Sequence, residues 1–242
     1  FAAALGVWLT RLPETLPPQR RMPLRWVSLG RALRAVVGNR FVMSLTLAQA
    51  AGFGFFTSYL ASSEIIVSDV LDLQPWFPAI FAAAAVMLGA GMLANPRLLD
   101  RLGLRAALRL GVVGYASSTV LFGAVTWAFD GRPPLVAFGF ALAPVLLSQA
   151  LTIPNLNSAA MIPMGRTAGT AAAVIGSLAT LGGALVSTVV SAAFAGTLYP
   201  LAISGLAAGV IVLTCWKFAD NRWVRAAVDE LGVSTPLGAA SP

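Results

Sequence analysis

From residue 41 onward the chain is a series of long uncharged apolar runs separated by short polar breaks. The runs are Phe41 to Ser63, Leu73 to Ala94, Leu110 to Phe129, Leu135 to roughly Asn157, and Thr167 to Trp216. Crossing a hydrocarbon core of roughly 30 Å takes a helix of about 20 apolar residues. Each of the first four runs therefore predicts one transmembrane helix. The fifth is too long for one helix and splits near Ala195-Gly196-Thr197, with Tyr199-Pro200 opening the return. The pattern predicts six complete spans, the fourth bent at Pro144 and Pro154. The runs are continuously apolar, whereas a membrane β-barrel alternates apolar and polar positions in short segments. The fold class is all-α integral membrane.

The breaks set the orientation. Asn95 to Arg109, NPRLLDRLGLRAALR, carries Arg97, Arg101, Arg105 and Arg109 against Asp100 and reads as a tight hairpin between two spans. Lys and Arg accumulate in cytoplasmic loops because carrying them across the bilayer is disfavoured. Counted from this hairpin, every one of the 16 Lys and Arg except Arg132 falls on the cytoplasmic side. Glu64, Asp69, Asp72 and Asp130 fall on the other. The connection Arg11 to Arg40 is also inside, with seven arginines against Glu14. Pro17, Pro18 and Pro23 keep its first part irregular. Trp26 to Val37 mixes apolar and basic residues at helical spacing, and either lies on the membrane surface or leads into the next span. Phe1 to Leu9 is apolar but too short to cross, and reads as the end of a preceding span, so the chain is expected to be a fragment. The expected organisation is a truncated helix end (1–10), a basic cytoplasmic loop (11–40), a six-helix bundle (41–219) and a cytoplasmic tail (220–242).

Composition agrees with this and removes several chemistries. Hydrophobic residues make up 58% and charged residues 10%, against about 25% charged in soluble domains. The formal charge of +7 sits beside membrane spans, where orientation and anionic headgroups account for it better than nucleic acid does. The chain has no His and a single cysteine, Cys215. His-based triads, His-containing zinc sites and an intramolecular disulfide are thereby excluded. No nucleophile–base pairing is visible, so neither an enzyme nor a metal site is expected. The Gly-rich run after Thr167 lacks G-K-[ST], and the one lysine is Lys217, so no cofactor cradle is expected.

Three stretches, in this order, resemble a known family. Leu12-Pro13-Glu14-Thr15-Leu16 looks like the end of the sixth helix of drug-efflux members of the major facilitator superfamily. Asp100-Arg101-Leu102-Gly103-Leu104-Arg105 is similar to the D-R-x-G-x-R part of that superfamily's loop motif in its second-half copy. Pro154-Asn155, followed by Arg166-Thr167-Ala168-Gly169-Thr170-Ala171, resembles the tenth-to-eleventh helix junction of the Bcr/CflA multidrug-resistance subfamily. The loop motif normally opens with Gly four residues before the Asp; here that position is Pro96. The resemblance implies the C-terminal six-helix half of a twelve-helix fold, with an N-terminal half as its partner. It also implies proton-driven export of drugs or small lipophilic metabolites across a bacterial inner membrane. A sugar or amino-acid exporter, or a non-transporting scaffold, are the alternatives.

On the span Phe41–Ser63, Thr46, Gln49, Phe53 and Thr57 recur at steps of three and four and so share a face bordered by Phe56. Gln149 and Asn155 are polar positions on the span Leu135–Asn157. The resemblance implies that these two spans line a substrate cavity, which makes those seven residues its candidate lining. The alternative for the polar ones is hydrogen bonding between helices, and for Asn155 bonding a carbonyl freed by Pro154. Asp100, Arg101, Gly103 and Arg105 form the candidate cytoplasmic gate loop. Gly103 supplies the turn, and Asp100 is expected just before the next helix, at the positive end of its dipole. Gly169, Gly176, Thr180 and Gly183 form a small-residue stripe expected to pack at a helix interface. No acid lies at mid-membrane depth in a complete span, so a proton-coupling carboxylate is expected in the other half.

Overall fold

The computed structural model describes residues 26–220. The expected helix end at 1–10, the first part of the basic loop and the C-terminal tail lie outside the described residues. All regular structure among the described residues is helical. Helix α1, Trp26–Gly38, is followed by α2, Arg40–Ile65, a π turn at Ile66–Val70 and a 3-10 turn at Gln74–Trp76. The element Phe77–Ala128 is broken at Gly103, where φ is 74° and ψ 165°, into α3 (77–102) and α4 (104–128). α5, Leu135–Met161, passes through both of its prolines, and α6, Ala168–Ala192, and α7, Tyr199–Asp220, complete the described residues. Asn39 separates α1 from α2. Its Oδ1 accepts from the Phe41 and Val42 amides at 3.0 and 3.3 Å, satisfying two donors that a helix start leaves free.

Among the described residues five helical elements are long and apolar enough to cross a membrane, and the longest of them is the one broken at Gly103. Side-chain contacts show that this element doubles back. Along α3, Gly91 meets Leu147 and Ala150, and Asn95 meets Asn155, so α3 and α5 run in the same direction. Along α4, Gly111 meets Thr152, Ser118 meets Ser148 and Phe122 meets Phe138, so α4 runs against α5. The two arms are therefore antiparallel. By the same reasoning α2 runs with α6 (Ala50 on Gly182, Gly54 on Val186), and α4 runs against α7 (Ala116 on Gly209, Gly123 on Leu206). Six consecutive segments alternate in direction, as the sequence requires.

The basic island is shorter as a loop than the sequence suggests. Helix continues through Pro96 to residue 102 and resumes at 104, so the reversal falls on Gly103 alone. A left-handed φ there is one that a side chain resists. Around this bundle the core residues Phe55, Tyr115, Phe122, Leu146 and Leu201 are almost fully buried. Lipid tails are as apolar as leucine, so helix association in a membrane rests on close packing rather than on expulsion of water. Small residues make that packing. A Cβ at Gly91 would lie 2.7 Å from the Ala150 Cβ, and one at Gly183 2.7 Å from the Phe53 ring.

This packing predicts opposite outcomes for two glycines on one helix. Gly91→Leu should destabilise the bundle by about 1–3 kcal/mol through overpacking. Gly89→Leu, where nothing lies within 4 Å of the new Cβ, should shift stability by less than about 0.5 kcal/mol. SDS-induced unfolding in mixed micelles measures both.

Candidate substrate cleft and inner-end latch

Most polar groups on the expected cavity face are engaged inside the bundle. Thr46 is buried and its hydroxyl donates to the Val42 carbonyl at 2.8 Å. Gln49 is also buried, with Nε2 donating to the Leu45 carbonyl at 3.4 Å. The Thr57 hydroxyl lies 2.9 Å from the Phe53 carbonyl and 3.2 Å from that of Gly183, joining α2 to α6. Gln149 spans α5 and α2, its Nε2 donating to the Gly52 carbonyl at 2.9 Å. Its Oε1 is buried without a partner among the described residues. Asn155 Nδ2 donates to the Asn95 Oδ1 at 2.8 Å and to the Leu151 carbonyl at 2.7 Å, and Asn95 Nδ2 returns a bond to Asn155 Oδ1 at 3.3 Å. Each asparagine adjoins a proline, Pro96 or Pro154, so the pair ties two proline-bearing helix segments together.

Phe53 and Phe56 are half-buried, with ring centroids 6.4 Å apart. Phe56 borders an apolar space. A cleft of about 520 Å³ opens between the ends of α2 and α3 remote from Gly103, with α5 along it; its walls include Tyr59, Trp76, Ala84, Met87, Leu142 and Leu146. A smaller space of about 60 Å³, lined by Phe56, Phe81 and Leu88, shares Tyr59, Ala84 and Leu146 with it. No charged residue lines either space. Gln149 lies one helical turn beyond Leu146, and Gly52 one turn before Phe56, so the bridging amide sits about one helical turn from the walls of this space. Of the seven residues expected to line a cavity, Phe56 alone lines the spaces described; Thr46, Gln49, Gln149 and Asn155 lie in the helix contacts beyond it. Tyr59, Met87, Leu142 and Leu146 gave no signal in the sequence because they are apolar residues within apolar runs.

At the opposite end, Asp100 and Arg101 are exposed in the last turn of α3. Asp100 therefore lies at the negative end of its own helix rather than before the first turn of α4, because helix persists as far as 102. Arg101 suits that end better. Arg105 Nε pairs with Asp220 Oδ1 at 2.9 Å, joining the start of α4 to the end of α7, with side chains 42% and 32% exposed. Solvent at that exposure holds the contribution to about 0–1 kcal/mol. Asp220 was missed in the sequence because it lies among Lys217, Arg222 and Arg225, where basic charge dominates.

The small-residue stripe on α6 divides. Gly183 packs on Phe53 and Gly54 of α2, whereas Gly169 and Gly176 have nothing within 4 Å of an added Cβ. Thr180 is exposed, its hydroxyl turned back on the Gly176 carbonyl at 2.8 Å. One part of the stripe is a seam inside the bundle and the rest is an open face.

Residues 1–187, more than three quarters of the chain, match the family described as Major Facilitator Superfamily. The chain belongs to the Major Facilitator Superfamily. It is a multi-pass membrane protein of that family. It is similar to a Bacillus subtilis (strain 168) protein named "Uncharacterized MFS-type transporter YdgK", at 22% identity over 184 residues. That similarity covers 74% of this chain and 44% of the relative, so the chain spans less than half of the relative's length. No solved structure gives a significant match.

The paired asparagines of this superfamily member carry a clear expectation. Asn155→Ala should cost about 1–3 kcal/mol, because it leaves Asn95 buried and unpaired. Replacing both by leucine should recover part of that loss, since no unsatisfied amide then remains. A double-mutant cycle on unfolding in detergent reads the difference.

Proposed function

We propose that this chain forms one six-helix half of a proton-driven secondary transporter that exports small lipophilic drugs or metabolites by alternating access. The apolar cleft carries this reading. Its volume of about 520 Å³ lies within the range of small-molecule pockets, which are mostly apolar with a few placed polar groups. Membership of the superfamily and the printed name of the relative support transport rather than catalysis. The Bcr/CflA-like residues around Pro154-Asn155 and Arg166 to Ala171 favour drug efflux within it. Sugars and amino acids fit less well, because the Tyr59 hydroxyl and the Trp76 indole N–H are the two polar side-chain groups in otherwise apolar walls. Phe56 is the proposed contributor to the cleft wall, Phe53 and Thr57 are proposed to face the cavity that the second half completes, and Thr46, Gln49, Gln149 and Asn155 stand beside them in the supporting helix contacts.

Arginine sorting supports a bacterial inner-membrane orientation with the Gly103 turn and the basic connection in the cytoplasm. There Asp100, Arg101, Gly103 and Arg105 make the proposed gate loop, with Arg105–Asp220 as its latch within this half. The second six-helix half is proposed to cover the open faces of α3 and α6, including Gly169, Gly176 and Thr180. The described spans hold no ionisable carboxylate at mid-depth, so the proposed proton-coupling acid belongs to that second half.

Expression of the full-length gene in an efflux-deficient host should raise tolerance to lipophilic compounds, and a protonophore should abolish the gain. No gain for any compound overturns the reading. Ala84→Trp should narrow the cleft and lower tolerance to bulky compounds at least about tenfold while sparing small ones. A scaffold would show no such discrimination by compound at equal protein level.

A further inference from the structure

Among the described α-helices, α1 alone is too short to cross the membrane, at 13 residues. It lies against α6 and α2, and Val36 is completely buried. Yet Leu33 and Val37, one turn apart on the neighbouring face, are 45% and 52% exposed. Beside them Arg34 is exposed, and so is Arg40 just past the Asn39 break. Arg40 is the first residue of α2, where the macrodipole disfavours a cation. Among the described residues the one ion pair is Arg105–Asp220, so neither Arg34 nor Arg40 has an acidic partner there. The whole connection from 11 to 40 holds seven arginines and one glutamate.

An apolar strip edged by arginines with no acidic partner among the described residues, at the basic ends of membrane spans, fits the boundary between acyl chains and headgroups. Apolar side chains enter the chains there, while arginines reach out to the phosphates. The cytoplasmic leaflet supplies anionic lipid, and each arginine near it adds attraction. We propose that α1 is a docking surface for anionic phospholipid of the cytoplasmic leaflet, with Leu33 and Val37 seated among acyl chains and Arg34 and Arg40 on lipid phosphates. The proposal rests on the orientation given above and not on transport, so it survives if no exported compound is found.

The test places an environment-sensitive fluorophore on Leu33→Cys in a Cys215→Ser background of the full chain. The protein is reconstituted in vesicles of phosphatidylcholine alone or mixed with phosphatidylglycerol. Emission should shift to the blue in the mixed vesicles, and high salt should reverse the shift. Arg34→Gln with Arg40→Gln should lower the ratio of seated to free helix roughly thirtyfold, whereas Arg34→Lys with Arg40→Lys should preserve it. A blue shift of equal size in phosphatidylcholine alone, or no shift in either vesicle, overturns the proposal. So does an equal shift on adding inorganic phosphate to detergent-solubilised protein, which would mark a simple anion site.

Discussion

A hydrocarbon core offers no water to a polar group, and that one constraint shapes the architecture of this chain. Backbone donors and acceptors must pair within each span, which leaves the helix as the available local structure. Among the described residues the six with positive φ, Asp72, Gly103, Asp130, Gly131, Gly165 and Gly196, all fall in the turns between spans. The same constraint disciplines the side chains. Hydroxyls within the spans return to their own helix three or four residues back, as Thr46, Ser58, Thr126 and Thr152 do. Amides do this too, Gln49 to Leu45 and Asn155 to Leu151, and the longer reach also lets Asn155 bridge to Asn95 and Gln149 to the Gly52 carbonyl.

With polar groups satisfied locally, helix association is left to shape. Close contacts at Gly91, Gly111 and Gly183 bring backbones together, and the bundle closes around a few large rings such as Phe55 and Phe122, edge to face at 6.1 Å. Where small residues find no partner, on α6 at Gly169 and Gly176, the surface stays open. Where large side chains on α2, α3 and α5 meet without filling the wedge between them, the apolar cleft remains. Stability and the proposed binding space thus come from the same packing, and differ only in how completely a gap is filled.

Much of the fold was legible because hydropathy and arginine placement answer directly to the bilayer. The apolar runs from Phe41, Leu110, Leu135 and Tyr199 became helices within a few residues of their expected ends, and the Gly103 reversal lay within the basic island. The extent of helix around that reversal was not legible, since the charges of Asn95 to Arg109 marked a hairpin where the structure keeps helix on both sides of Gly103. The candidate site was less legible. Polar spacing marked Thr46 and Gln49, but spacing cannot say whether a hydroxyl or amide turns inward to a carbonyl or outward to a ligand. The cleft walls are apolar residues indistinguishable in sequence from those that face lipid. The partners Asn95 and Asp220 lie 60 and 115 residues from Asn155 and Arg105, beyond the reach of any local pattern.

The alternation of spans about the Gly103 turn can be tested by thiol labelling of intact cells in a Cys215→Ser background. Single cysteines replace Asp69 in one protein and Leu102 in another, and both are exposed to a membrane-impermeant maleimide. Labelling of the Asp69 position in intact cells, with Leu102 labelled only after permeabilisation, is the predicted result. Labelling of both positions from the same side would contradict the account.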